Sequence, residues 1–257
     1  MRFITLAISL CYQDIQERFA GAILGTLWVF IWPVVQLFIY IIIFGKLMGA
    51  RLGVYSGPYA YGFYIASGLL SWTYFAAALA RSSRSLLDKR TIMRKVRVNP
   101  AVFPAVACIA EFIPFMAGFL LLFMADLING WRPDPYWMLL CLLALYMQTI
   151  LAYGLGLFFA CLAVFARDIA EAVNICLQMA FWFTPIVYMP SILPDWLAKI
   201  LWINPMMPIT GIFQQCFILG GTINWPPLAY ALLIAHLALF LGLWTLHSWR
   251  KDILDVL

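Results

Sequence analysis

The chain has 257 residues, 65% of them hydrophobic and only 11% charged, with a mean hydropathy of +0.95 and a formal net charge of +5. An ordinary soluble domain carries about 25% charged residues, so composition alone excludes a water-soluble enzyme or binding module. The positive balance reads as membrane orientation rather than nucleic-acid binding, because the chain has little soluble mass from which to build a folded basic face.

Residues 2–20 place Phe3, Leu6, Ala7, Leu10, Cys11 and Ile15 at helical spacing, opposite Arg2, Thr5, Ser9, Tyr12, Gln13 and Gln16. This predicts an amphipathic helix lying in the membrane surface; a juxtamembrane stub with accidental periodicity is the alternative. Asp14, Glu17 and Arg18 stand where a signal peptide would present its apolar region, so this segment is expected to stay in the mature protein. Gly21 and Gly25 then bend the chain into the first crossing.

A crossing helix needs about 20 apolar residues, because every backbone amide must find its partner inside the segment. The gaps between charges give six such spans, at 25–44, 62–80, 102–125, 137–166, 173–188 and 228–247. Span one carries Trp28, Trp32, Gln36, Tyr40 and Phe44 at successive four-residue steps, and span five carries Gln178, Trp182, Pro185 and Tyr188. Aromatic rings beside amides suit sugars, stacking on C–H faces while bonding hydroxyls; helix packing and interfacial aromatic belts explain the same residues.

Between spans two and three the loop 81–99 reads RSSRSLLDKRTIMRKVRVN, seven basic residues against one acidic. It admits a short helix offering Leu86, Leu87, Ile92, Met93 and Val96 to a partner, or a topology-setting basic loop near anionic lipid. Glu111 lies mid-span, where a carboxylate costs about 2.5 to 3.5 kcal/mol, so it is expected to face protein or water. A hydrogen bond to a neighbouring helix is the expected role; a proton relay needs further partners, and the other spans offer no second buried acid. The stretch 202–220 is interrupted by Pro205 and Pro208 and followed by Gly220-Gly221 and Pro226-Pro227, and reads as a re-entrant or interfacial hairpin rather than a seventh span.

With six spans and both termini cytoplasmic, twelve Lys and Arg lie inside and four outside, in accord with retention of positive charge on the cytoplasmic side. The six cysteines show no paired spacing, which argues against disulfides or a zinc site. His236 and His247 are about 16 Å apart along one helix and cannot share a metal ion. No phosphate-binding glycine loop is present, so any nucleotide energy must come from another chain.

The ordered landmarks resemble a specific group. They are Gln13-Asp14-Ile15-Gln16-Glu17-Arg18-Phe19, Leu24-Gly25-Thr26-Leu27-Trp28, Trp32-Pro33, Gly68-Leu69-Leu70-Ser71-Trp72, Phe165-Ala166-Arg167-Asp168-Ile169, Phe183-Thr184-Pro185-Ile186-Val187-Tyr188 and Asn204-Pro205. Over essentially the whole chain this is similar to the permease subunits of ABC exporters for polysaccharides, the type 2 export group serving lipid-linked O-antigen, capsule and teichoic acid. Ala166, where the group often has an aromatic, and an Arg-rich loop before Asn99-Pro100 depart from the pattern and leave the particular substrate open.

The resemblance implies an all-α membrane protein of the inner membrane that works as a homodimer with two ATP-binding cassette subunits, which would hold the ATP and magnesium. It implies a pore lined by Trp28, Trp32, Gln36, Tyr40, Trp182 and Tyr188, coupling contacts at Leu87, Arg90 and Arg94, an outer gate over 190–222, and an undecaprenyl-linked glycan as cargo. No cofactor and no covalent chemistry are expected of this chain. A drug or lipo-oligosaccharide permease is the nearest alternative. A membrane enzyme using Glu111, Asp168 or His247, and a proton-coupled carrier, are alternatives of other classes.

Overall fold

A computed structural model describes residues 9–14, 16–17, 21–47, 59–95, 98–128, 130, 134–190, 193–194, 196, 200–218 and 223–256, and every regular element among them is helical. Residues 9–14 and 16–17 belong to the surface helix; the rest of 2–20 lies outside the described residues. Gly21 and Gly25 have φ of 82° and 50°, conformations that glycine adopts without steric cost, and they turn the chain into the bundle.

Helix α1 (Trp28–Phe38) begins with a 3-10 turn and continues as π-helix over Ile39–Leu47. Then come α2 (Ala60–Asp88), the short α3 (Arg90–Lys95), α4 (Val102–Ile128), α5 (Pro135–Phe165), α6 (Asp168–Trp182), α7 (Met206–Phe217), α8 (Trp225–Ser248) and α9 (Arg250–Val256). Helices α2, α4, α5 and α8 are long and apolar enough to cross a membrane; Trp28–Ile43 is a shorter apolar helix. Helix α5 starts cleanly because Asp134 caps the Tyr136 amide at 2.9 Å and Pro135 fills the first position.

Two of the boundaries that differ from those expected bear on the site. The span expected over 173–188 stops as helix at Trp182, because Pro185 has no N–H to give and disfavours the α conformation at Thr184. Helix α2 continues past Ala80 to Asp88, carrying Arg81 and Arg84 as helical residues rather than loop residues.

Helix α2 is the central post, packed by α4, α5, α6, α7 and the π segment, while α8 lies along α5. Buried Tyr74 and Phe115 with Phe119, Phe213 and Phe217 form a chain of ring contacts 5.2 to 6.4 Å apart that ties α2, α4 and α7. Polar side chains lock α2 to α5: Ser71 donates to Gln148 at 2.8 Å, and the Tyr74 and Thr149 hydroxyls are 2.8 Å apart. In hydrocarbon such bonds fix rotation between helices that apolar packing alone leaves free.

Helices α5 and α8 approach through Gly154 and Gly242: a Cβ added at either would lie 2.4 Å from backbone of the other helix. The outer face of α8 presents Leu233, Leu237, Phe240 and Trp244, a surface suited to lipid and not to water.

A second core closes the end where the basic residues gather. Leu10 and Cys11 of the surface helix pack with Leu86, Val102, Cys161, Leu246 and Ile253. The C-terminal ends of α2, α5 and α8, the start of α4 and the helix α9 therefore meet at one end of the bundle, with the surface helix laid against them.

Candidate functional site

Helices α2 and α6 face each other across an open groove of about 740 Å³. Its α2 wall is Trp72, Ala76, Ala77 and Ala80, and its α6 wall carries Glu171, Asn174, Gln178 and Trp182. The α6 residues recur at three- and four-residue steps, so one face of the helix is polar and ends in an indole. Small alanines opposite leave the space open. Trp182 is 69% exposed, and Trp72 lies edge-on to Phe181 at 6.0 Å, closing the floor at that level. Arg84 meets Glu171 at 2.6 Å at the basic end; both side chains are about half exposed, so the pair orients the groove mouth and adds little stability.

The apolar face of α6 looks onto a separate cleft of about 480 Å³ against α5 and α2. Trp72 and Leu177 border both spaces. Helix α6 is thus a thin amphipathic partition, largely polar toward one space and apolar toward the other.

The residues expected to line a pore are distributed over three places. Trp182 is in the groove. Trp28 and Trp32 stand outward on α1, 41% and 64% exposed, while Gln36 and Tyr40 are half-buried and Tyr40 packs on the core. None of these four α1 residues lines the groove. Tyr188 lies beyond the helix end, and its hydroxyl donates to the Trp182 carbonyl at 2.8 Å, closing the turn between them. Gln178 and Trp182 share the groove as their spacing suggested; Asn174 and Glu171, with them on that face, were not singled out by the sequence.

The irregular stretch after Trp182 leaves carbonyls without helical partners, and side chains from other elements serve them. Tyr61 donates to Val187 at 2.7 Å, and the Tyr64 hydroxyl lies 3.2 and 3.1 Å from the carbonyls of Pro185 and Tyr188, serving one at a time. Gln214 of α7 donates to Pro185 at 3.0 Å, and Asn204 donates to the Phe183 carbonyl at 3.1 Å and the Thr184 hydroxyl at 2.8 Å. Non-helical backbone at membrane depth persists only where it is satisfied in this way. Asn204 also accepts from the Met206 amide at 2.9 Å, starting α7. The expected gate 190–222 thus contains α7, and Trp196, Ile200 and Leu201 before it are also helical; residues 191–192, 195, 197–199 and 219–222 lie outside the described residues.

At the opposite end, Arg90 and Arg94 sit four apart on α3 and are exposed, and Leu87 is half-buried at the end of α2. Leu86 is fully buried, and Ile92 and Met93 pack on the second core, so these three do not form the free surface expected of them. Val96 lies outside the described residues. Lys89 pairs with Glu17 at 2.8 Å, joining the loop to the surface helix.

Glu111 has a definite partner. Arg81 donates to it at 2.7 Å and, through its other terminal nitrogen, to Asp14 of the surface helix. The Arg81, Glu111 and Asp14 side chains are 30%, 8% and 13% exposed. Beside this cluster, burial first and the Asp14 charge second push the Cys11 thiol above its ordinary value, with Arg81 opposing. The spans do contain a second buried acid, Asp126, which falls inside α4 because that helix runs three residues past the expected end; its Oδ2 has no partner among the described residues. It is 15 residues from Glu111, about 22 Å along the helix, too far to exchange a proton directly. Among the described residues no three His, Cys, Asp or Glu gather as a metal site.

Comparison with known sequences identifies relatives. The sequence model of the family described as ABC-2 type transporter matches residues 5–218. The chain is 21% identical over 252 residues to the O-antigen export system permease protein RfbA of Klebsiella pneumoniae, covering 98% of this chain and 95% of that protein. It is 27% identical over 214 residues to the protein of the same name from Myxococcus xanthus, covering 82% and 80%. A further Klebsiella pneumoniae protein of that name is 24% identical over 220 residues, covering 86% and 82%.

Proposed function

The chain belongs to the ABC-2 type transporter family, and from that premise we propose that it is the membrane subunit of an ATP-driven exporter that carries a lipid-linked, O-antigen-like polysaccharide outward across the inner membrane. The observation that carries the substrate class is the groove between α2 and α6, whose polar stripe ends in the exposed Trp182. Amides and a carboxylate bond hydroxyls, and an indole covers a sugar C–H face. The names of the relatives support the same class.

In this reading the chain makes six crossings, α1 and α6 with their continuations counting as spans one and five, and both termini are cytoplasmic. Two copies face each other so that the outward Trp28 and Trp32 of α1 join the α6 stripes around one conduit. The second core and α3 form the cytoplasmic end, where a separate ATP-binding cassette subunit engages Leu87, Arg90 and Arg94 and hydrolyses ATP. The α7 segment stands at the outer mouth. The chain binds and guides its cargo; bond-breaking chemistry belongs to the partner.

The test is to co-express the chain with its genomic neighbour ATPase, reconstitute the complex in lipid nanodiscs and measure ATP hydrolysis with and without the lipid-linked glycan. The wild type is expected to assemble and to be stimulated by glycan, and Leu87→Asp with Arg90→Glu to lose stimulation. A chain that binds no ATPase, or turnover indifferent to glycan, overturns the reading.

A further inference from the structure

We propose that the apolar cleft on one side of α6 seats the hydrocarbon tail of the cargo while the groove on the other side holds its glycan, so that one lipid-linked molecule straddles the helix; this rests on the reading of the chain as an exporter of such a glycan. The two spaces run side by side. Along α6 the groove is lined from Glu171 to Trp182 and the cleft from Ile169 to Ala180, each about 16 Å of helix. Along α2 both are bordered by Trp72, and they reach Ala80 and Leu79.

Their chemistry differs. The α6 wall of the groove offers a carboxylate and two amides, from Glu171, Asn174 and Gln178. No charged side chain stands among the described residues that line the cleft. Its one amide, Asn204, is engaged at both ends: the nitrogen donates to the Phe183 carbonyl and the Thr184 hydroxyl, and the oxygen accepts from the Met206 amide. At about 480 Å³ the cleft falls within the roughly 300 to 1,000 Å³ of sites that enclose small apolar ligands. Ala172 and Cys176, which line it, are exposed, so it is open to a chain arriving from outside.

Ile169 of the cleft and Glu171 of the groove stand two residues apart in the first turn of α6, about 3 Å along its axis. A molecule whose polar and hydrocarbon parts are joined at one point can pass round this end of the helix and occupy both spaces. Apolarity alone does not select the occupant, since lipid tails surround the protein and are as apolar as the leucines of the cleft. Attachment selects it. A glycan held in the groove turns capture of its own tail into an intramolecular event, whereas a phospholipid presents no glycan to the groove.

The test reconstitutes the chain with its ATPase in phosphatidylethanolamine–phosphatidylglycerol nanodiscs and compares three probes, each with a diazirine in its hydrocarbon chain. They are a polyprenyl-linked glycan, the polyprenyl phosphate without glycan, and a phosphatidylethanolamine; cross-linked residues are mapped by mass spectrometry. The glycan-bearing probe is expected to label Ala172 and Cys176 of α6 and Leu155 and Phe159 of α5 severalfold more than the other two. Cys176→Trp is expected to lower that labelling by filling the cleft, with Ala172→Leu in its place if the tryptophan variant does not elute folded. Trp182→Ala, outside the cleft, is expected to lower it by weakening the hold on the glycan.

Equal labelling by the three probes makes the cleft a seat for any lipid and overturns the proposal. Labelling by none of them, as a helix of the second copy seated there would give, also overturns it, as does labelling unchanged in either variant. Glycan-stimulated ATP hydrolysis is read on the same samples. Stimulation without preferential labelling overturns the tail site alone; preferential labelling without stimulation keeps the tail site and overturns the exporter reading.

Discussion

Substituting Gly154 by Ala tests the seam between α5 and α8. The added Cβ would stand 2.4 Å from the Leu239 nitrogen and 2.5 Å from the Ala238 carbonyl carbon, where carbon contacts are comfortable at about 3.5 to 4.0 Å. The obstacles are backbone, so no rotamer change relieves them and α8 must retreat by about 1 Å. Overpacking of this kind costs about 1 to 3 kcal/mol, and the rigid obstacle argues for the upper end. The gain of Ala over Gly in helix propensity returns about 1 kcal/mol, leaving a net loss of about 2 kcal/mol.

Reversible unfolding in mixed micelles measures the loss, with Gly211→Ala on α7 as control. Nothing lies within 4 Å of the Cβ added there, so the control is expected to be neutral or stabilising by up to about 1 kcal/mol. Gly242→Ala meets the Gly154 carbonyl at 2.4 Å, and the same retreat of α8 relieves both clashes. The double variant is therefore expected to lose less than the sum of the two. A Gly154→Ala protein as stable as wild type would refute the close backbone contact and the argument built on it.

Three further outcomes are expected. Gln214→Leu removes a donor from the Pro185 carbonyl and should cost about 1 to 3 kcal/mol, measured by the same unfolding, with Tyr64→Phe adding more than its single effect because both serve that carbonyl. Trp182→Ala and Gln178→Ala should leave assembly with the ATPase intact while reducing glycan-stimulated hydrolysis severalfold; unchanged stimulation in the pair would remove the groove from the path. Maleimide labelling of Cys11, with the other five cysteines replaced by Ala, should keep rising above pH 9, where that of an exposed thiol levels off, since the docked thiol is held above its ordinary value of 9.0. The thiolate favours the undocked helix, so docking stability is present below that value and lost as pH rises beyond it; Asp14→Asn, which removes one of the raising charges, should bring the plateau to lower pH.

Charge gaps located the long helices because lipid forbids unpaired charge along an exposed span, and α4, α5 and α8 lie within a few residues of where those gaps put them. The same logic misjudged Arg81. Hydropathy marks where charges stand, not where hydrogen bonding stops, and a charge that meets two carboxylates inside the bundle need not end a helix. Glu111 was legible as an acid requiring a partner, but the partner came from a stretch read as loop. In the site, Gln178 and Trp182 were legible from helical spacing. Pro185 and Tyr188 matched the same spacing and fell elsewhere, because the proline ends the helix that spacing assumes. Leu86, Ile92 and Met93 show the converse limit: a short apolar face looks identical in sequence whether its own chain or a partner covers it.

Helix α2 holds the irregular turn through Tyr61 and Tyr64 near one end and the surface helix through Arg81 near the other, where Lys89 just past its end adds a second pair. From Tyr64 to Arg81 is 17 residues, about 26 Å of continuous helix. A rod of that length acts as a lever: tilting it by about 5° about one end carries the other through about 2 Å, enough to break a hydrogen bond. The two ends of the bundle are therefore geared together by a single helix, and a substitution that kinks α2 near Ser71 or Trp72 would let each end move without informing the other.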